Sequence, residues 1–380
     1  MLKRVYIDNY RCFVNFTFKP KAKQLILGIN GTGKSALFAV LGDLRDFAFT
    51  GYRGDQLFTP ETRTRWQNLS QQSFELEITG NGGTYLYTLL VETQETKPRS
   101  RVIKETLEFN EKPLIYFEKE QVQLFDDNHK RKATYPFDSD RSAIAVVGPR
   151  KGNAKLTWFK GWLDRLCCLR INPSNMQAEA KGEREEADYY PEDDLSNFAA
   201  WYGYVVHEHT GEAGNLQKVL REIIDGFDSL NLTTTGRSAK SLRAVFQGPL
   251  GTDTRRSRRL PLSFDFDELS DGQKSLIGLY TLLQFAIGPE STICIDEPEN
   301  FLALAEIQPW LMKLNERIED TGGQVILASH HPELINLLAP QWGVLFSRSG
   351  LGPVQAVPYR AEKLGKLAPS EQIARGWERG

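Results

Sequence analysis

The stretch Leu25–Ser35, LILGINGTGKS, narrows more than any other what this chain can fold into. A short apolar run leads into Gly28, four residues, then Gly33, Lys34 and Ser35, and ALFAVLGDL follows at once. The G-x-x-x-x-G-K-S pattern in this setting demands a strand, a tight loop and a helix. Its glycines let the backbone curl so that successive N–H groups aim at phosphate oxygens. Lys34 supplies a point charge for the β- and γ-phosphates, and the Ser35 hydroxyl is a ligand for Mg²⁺. The helix that opens near Gly33 adds its positive end to the same anion. The stretch predicts a nucleoside triphosphate site.

The 380 residues are enough to bury a large core, and 40% apolar with 25% charged residues is ordinary for a globular chain. A net charge of −2 gives no global pull towards nucleic acid, so such a site has to be a local patch. Cys12, Cys167, Cys168 and Cys294 show no metal-ligand spacing and fit a reduced, cytoplasmic compartment. No apolar run reaches the roughly 18 residues of a membrane span, and no signal peptide precedes the first strand.

Periodicity predicts a β-meander over residues 2–27, with Arg11 in the turn after LKRVYID. From Lys34 a helix places Leu37, Val40, Leu41 and Leu44 on one face. Strand patterns flank Asn81-Gly82-Gly83, a hairpin signal, and continue to residue 126 as an antiparallel sheet. The basic, turn-rich segment 127–153 reads as a boundary. Beyond it the texture is helical, with Phe159, Trp162, Leu163 and Leu166 on one face and Leu216, Val219, Leu220, Ile223 and Ile224 on another. Glu183–Asp194 forms an acidic loop, and the His207–His209 segment reads as a helix face rather than a metal site. Strands return after residue 240 around GTDTRRSRR, a loop with Arg255, Arg256, Arg258 and Arg259. The expected organisation is a lobe over 1–126, a linker and helical insertion over 127–240, and a second lobe over 241–380.

Three further stretches carry chemistry. Leu269-Ser270-Asp271-Gly272-Gln273 opens an almost wholly apolar helix, with Ser270 as N-cap and Gly272 permitting close backbone approach. STICIDEPEN is a buried strand that delivers Asp296 and Glu297, suited to a metal and a water respectively. QVILASHHPEL is another, delivering Ser329, His330 and His331.

LSDGQ resembles the signature of ABC ATPases, DEPEN resembles their Walker B with its glutamate, and SHHP resembles the T-H-S-P switch of one branch. The chain is similar to AAA/ABC-type ATPases of the SMC, RecF and OLD-like group, closely over residues 1–50 and 260–380. This resemblance implies an α/β fold: an ABC-type P-loop head with a mixed sheet, an antiparallel β-subdomain and a short helical insertion in place of a coiled coil. It implies ATP and Mg²⁺ as cofactors, with Asn30, Gly31, Thr32, Gly33, Lys34 and Ser35 around the phosphates and Arg11 beside the nucleotide. Asp296 and Ser35 hold the metal in this reading, Glu297 polarises the attacking water, and His330 contacts the γ-phosphate. Ser270, Gly272 and Gln273 would close on the nucleotide of a partner chain, which implies a homodimer or higher oligomer with composite sites. Departures are Phe301 and Ala303 where the group has histidines, and Asp271 where the signature has glycine. Gln71 and Gln72 are poor candidates for the group's Q-loop glutamine.

Lys34 and Ser270 are 236 positions apart, against roughly a hundred in transporter ATPases, and no membrane partner is encoded in the chain. No heptad run of coiled-coil length is present. Two functional readings follow from the resemblance. One is a regulatory ATPase controlling a separately encoded effector, a nuclease or toxin, in a prokaryotic antiviral defence or toxin–antitoxin-like system. The other is a RecF-like repair clamp that grips DNA through Arg255, Arg256, Arg258 and Arg259, with Lys130–Lys132 and Arg150–Lys151. A solvated loop explains the same arginines equally well. A scaffold locked by nucleotide with slow turnover also fits, because Glu297 alone does not set a rate.

Overall fold

The computed structural model describes residues 1–93, 99–180, 189–235, 239–248, 260–360 and 367–375. In chain order, β1 (Leu2–Asp8), β2 (Phe16–Phe18) and β3 (Lys23–Leu27) lead to α1 (Lys34–Arg45), which runs on through a π-helical turn over Asp46–Thr50. A single turn, α2 (Gly54–Leu57), precedes β4 (Gln71–Gly80), β5 (Gly83–Thr93), β6 (Ser100–Phe109), β7 (Lys112–Glu118), β8 (Gln121–Phe125) and β9 (Arg131–Pro136). Then come α3 (Ala154–Asp164), β10 (Leu166–Leu169), β11 (Glu179–Ala180), α4 (Phe198–Glu208) and α5 (Thr210–Ile223). Next are β12 (Phe227–Thr235), β13 (Ala239–Gln247), β14 (Pro261–Asp265) and α6 (Asp271–Phe285). The chain closes with β15 (Thr292–Asp296), α7 (Leu304–Thr321), β16 (Gln324–Ala328), α8 (Pro332–Trp342), β17 (Gly343–Ser347), β18 (Gln355–Pro358) and α9 (Pro369–Ala374).

Two compact units result. Unit 1 comprises 1–168, 289–296 and 322–380; unit 2 comprises 169–288 and 297–321. Unit 1 holds two sheets. The first is antiparallel with strand order β2-β1-β4-β5-β6-β7-β8-β9, and the second has the order β10-β15-β16-β3-β17-β18. In the second, β15, β16, β3 and β17 run parallel and β18 returns antiparallel. The parallel strands are nearly continuous apolar runs, as strands covered on both faces must be. In the antiparallel sheet, alternation buries Phe74, Leu76 and Ile78 on β4 and Tyr85, Tyr87, Leu89 and Val91 on β5. Asn81 and Gly82 between them both have positive φ, 51° and 75°, the pairing a two-residue type I′ turn requires.

Unit 2 is built around α6, whose residues Lys274–Leu283 are all buried, as a helix at the centre of a core is. Its sheet has β13 at the centre, with β12 along one edge and β11 and β14 sharing the other. Among the described residues, no helix is long and apolar enough to cross a membrane.

The α/β fold with mixed and antiparallel sheets is as expected, but several local expectations need correction. The predicted meander ends after β2: β3 pairs with β16 and β17 instead, because its uninterrupted QLIL cannot offer one polar face to an antiparallel neighbour. The segment read as a boundary contains β9, an edge strand whose alternate residues are exposed and whose basic character masks the pattern. The span read as helical contains β12, in which Thr233–Thr235 are β-branched residues with little apolar signal. Leu166 falls in β10, not on the α3 face.

One buried carboxyl group anchors the antiparallel sheet. Glu105 on β6 is fully buried; its Oε1 accepts from the Tyr87 hydroxyl at 3.0 Å and the Ser142 hydroxyl at 2.6 Å, and its Oε2 accepts from the Ala143 N–H at 2.7 Å. Burial pushes the carboxyl up to about 7 from 4.5, although these donors oppose the shift. The native chain therefore binds more protons at this site than the unfolded chain between pH 4.5 and 7. The stability contributed by the neutral acid is full below that window and is lost as pH rises through it. We predict that Glu105→Gln removes a fall on the order of 3 kcal/mol from the stability–pH curve across this window. Urea midpoints from pH 4.5 to 8 are the check, and an unchanged slope would refute the assignment.

Candidate functional site

Parallel pairing sets Asp296 beside Ala328, Ala328 beside Ile26, and Leu27 beside Leu345. Four carboxyl ends of one sheet are thereby levelled, which is where α/β sheets place ligands. The loop Gly28–Gly33 leaves β3 there, Asp296 ends β15, Ser329 and His330 follow β16, and Arg348 follows β17.

The loop after β3 has the geometry its sequence calls for. Gly28, Gly31 and Gly33 have φ of 147°, 82° and 97°. A Cβ on Gly28 would lie 2.5 Å from the Phe346 carbonyl oxygen and 2.6 Å from Thr32 Oγ1. Thr32 Oγ1 donates to the Ile29 carbonyl at 2.8 Å, tightening the turn, while Asn30 and Gly31 are exposed on its rim. Lys34 is buried, with Nζ donating to the Gly28 carbonyl at 2.7 Å and the Ile29 carbonyl at 3.3 Å, so its ammonium sits inside the loop. Ser35 Oγ donates to Asp296 Oδ2 at 2.5 Å. A hydroxyl and a carboxylate in contact are two hard oxygen donors of the kind Mg²⁺ takes, and these two residues would hold it. The donor set fits the ion. Among the described residues, no cluster of three or more His, Cys, Asp or Glu offers another site.

Arg11 is carried by a turn that is itself tightly built. It is exposed, with φ 48°, its N–H donates to the Thr62 carbonyl at 2.6 Å, and its guanidinium lies 5.2 Å over the Tyr10 ring. The Tyr10 hydroxyl donates to Asp43 of α1 at 2.6 Å, and burial pushes the Asp43 carboxyl up to about 6. Asn9, fully buried at φ 57°, stitches this turn to the segment before β4. Its Nδ2 donates to the Leu69 and Gln71 carbonyls, and its Oδ1 accepts from the Thr64 N–H. Gln72 is buried as well and donates to the Asn9 carbonyl at 3.0 Å, a structural role. Asn9 carried no sequence signal beyond its place at the end of β1.

His330 is exposed one residue beyond the buried Ser329. His331 plays a different part: its Nδ1 accepts from the Glu333 N–H at 3.3 Å and caps α8.

Unit 2 carries the remaining candidates. Ser270 caps α6, accepting from the Gln273 N–H at 3.3 Å, while Gln273 Oε1 accepts from the Ser270 N–H at 3.1 Å. A Cβ on Gly272 would lie 3.0 Å from the Phe301 carbonyl oxygen, so the close approach expected of this glycine is present. Glu297 adopts φ 54°, uncommon for a side-chain-bearing residue, and its Oε2 accepts from Asn300 Nδ2 at 2.8 Å. Arg170 lies 3.7 Å from the same oxygen. Arg255, Arg256, Arg258 and Arg259 lie outside the described residues, as does the first half of the acidic loop, residues 183–188.

Residues 240–336 match the model of an AAA domain family described as "putative AbiEii toxin, Type IV TA system". Among solved structures, an SMC head bound to the C-winged helix domain of ScpA matches with a TM-score of 0.55 and 13% identity, over 95% of this chain and 99% of that one. The SMC head domain from Thermotoga maritima aligns over 95% of this chain and 99% of that one at 14% identity, with a TM-score of 0.43. No curated protein matches the chain. The fold is that of an SMC head domain.

The loop geometry ranks two glycines. Gly28→Ala forces a methyl into the Phe346 carbonyl, whereas at Gly31 nothing lies within 4 Å and only the left-handed φ resists. Gly28→Ala is expected to weaken triphosphate binding more than tenfold, and Gly31→Ala only a few-fold, about 1 kcal/mol. Equilibrium dialysis with labelled ATP checks this order, and equal losses would refute it.

Proposed function

We propose that this chain is a Mg²⁺-dependent ATPase that dimerises around ATP and controls a separately encoded effector, a nuclease or toxin, in a prokaryotic defence or toxin–antitoxin-like system. The observation that carries the catalytic part is the contact of Ser35 with Asp296 beside the Lys34-filled loop. Phosphoryl transfer needs positioning and charge stabilisation more than covalent chemistry from the protein. The backbone N–H groups of Gly31–Lys34 bind the phosphates, and Lys34 turns its ammonium from the loop carbonyls to their oxygens. Bound Mg²⁺ would neutralise charge on the β- and γ-phosphates. Glu297, held by Asn300, orients and polarises the attacking water, and His330 binds the γ-phosphate oxygens.

The dimer rests on Ser270, Gly272 and Gln273. They open a second capped helix start, of the kind that binds phosphate, for which the resident loop, already complete, has no need. The regulatory role is supported by the description of the matched family and by the absence of a helix of coiled-coil length among the described residues, where the longest is α7 with 18 residues.

Lys34→Ala is expected to abolish ATP binding, and Glu297→Gln to preserve binding while lowering turnover at least a hundredfold. Ser270→Arg should remove turnover without weakening nucleotide binding to the monomer. Copurification of a neighbouring gene product with wild type and Glu297→Gln chains, and its altered retention by Lys34→Ala, would support effector control. Normal turnover in Glu297→Gln would overturn the catalytic assignment. Salt-sensitive binding of duplex DNA by the ATP-bound dimer, with no copurifying protein, would support the clamp instead. Arg150, Lys151 and Arg165 line a cavity of about 650 Å³ with Trp158 and are described residues a clamp could use.

A further inference from the structure

Three of the four levelled strand ends deliver residues that the sequence marks: the loop after β3, Asp296 and His330. The fourth, β17, delivers Arg348, which no motif announces. Its guanidinium is fixed as a flat plate. Nη1 donates to the Gly31 carbonyl at 3.2 Å, Nη2 to the Leu351 carbonyl at 2.8 Å and Nε to the Gly352 carbonyl at 3.0 Å. The plate therefore rests on the phosphate loop itself. It lies 5.4 Å over the ring of Trp66, from the segment that Asn9 ties to the Arg11 turn.

The surroundings are unusual for an anion site. Trp66 is 45% exposed, Ile29 48% and Leu351 80%, so apolar surface stands open at the rim of the phosphate loop. Phosphate has no use for such a surface, whereas a flat heterocycle does. Both contributing segments are held by backbone hydrogen bonds, so little order remains to be gained on binding.

We infer that Trp66 and the carbonyl-clamped Arg348 form the nucleobase platform of this site. The inference rests on the phosphate-loop reading and extends it to the other end of the nucleotide. The base stacks on the Trp66–Arg348 surface, with Ile29 and Leu351 beside it. A purine, with the larger π-face, gains more than a pyrimidine. Arg348 also transmits the register of β17 to Gly31, so base and phosphates share one rigid reference.

The test is calorimetric titration of wild type, Trp66→Ala and Trp66→Phe with ATP, CTP and inorganic tripolyphosphate, all with Mg²⁺. Wild type should bind ATP at least tenfold more tightly than tripolyphosphate, with CTP between them. Trp66→Ala should lose about tenfold for ATP, about 1.4 kcal/mol, and less than twofold for tripolyphosphate. Trp66→Phe should recover most of the loss. Equal weakening of ATP and tripolyphosphate by Trp66→Ala would overturn the platform, as would equal affinities in wild type, while leaving the phosphate loop standing. If wild type bound neither ligand, the phosphate reading would fall and the platform with it.

Discussion

The parallel register of β15, β16, β3 and β17 is the constraint on which the site depends. A parallel pair has evenly spaced, slanted hydrogen bonds and no freedom to slip without exposing a buried face. Because the four strands end level, the residues that follow them arrive together although they lie hundreds of positions apart in sequence. The glycine loop after β3, Asp296, His330 and Arg348 are thus placed together by one ladder. No single side chain has to find another across the chain; the backbone has already aligned them.

The opposite end of that sheet is fastened by polar side chains that stand in for backbone. Gln324 is fully buried; its amide accepts from the Leu2 N–H at 2.8 Å and donates to the Leu2 carbonyl at 2.9 Å, as a neighbouring strand would. It also donates to the Lys21 carbonyl and accepts from the Thr292 hydroxyl. One amide thereby connects β1 of the antiparallel sheet with β16 and β15 of the parallel one. Gln24 does similar work by donating to the Trp342 carbonyl. Buried amides satisfied on every side are costly to disturb, since each orphaned partner loses its hydration as well as its bond.

Much of this was legible in the sequence where a residue type has one physical use. Gly28 and Gly33 announce left-handed backbone, Ser270 with Gln273 announces a capping box, and the STICID and QVILA runs announce strands covered on both faces. What could not be read is what depends on partners distant in the chain. β3 has no local property that says it deserts β1 and β2 for β16 and β17. Asn9, Gln324 and Glu105 are polar residues whose burial is decided by segments 37 to 322 positions away, so each reads as surface until the chain closes around it. Arg348 follows an ordinary apolar strand, and only the level strand ends bring it to Gly31.

The backbone at Glu297 has a wider consequence. With Phe301 at φ 70°, it brackets a turn in which two side-chain-bearing residues occupy the left-handed region, at about 1 kcal/mol each. That backbone sets the direction of the Cα–Cβ bond, and the hydrogen bond from Asn300 restrains the carboxylate at the end of the side chain. The ordering of a group proposed to work on water is thus completed during folding, not during each turnover. Stability and function then pull this turn in opposite directions. Selection for a hardier protein would favour glycine at 297 and 301, and selection for activity would hold the strained residues in place.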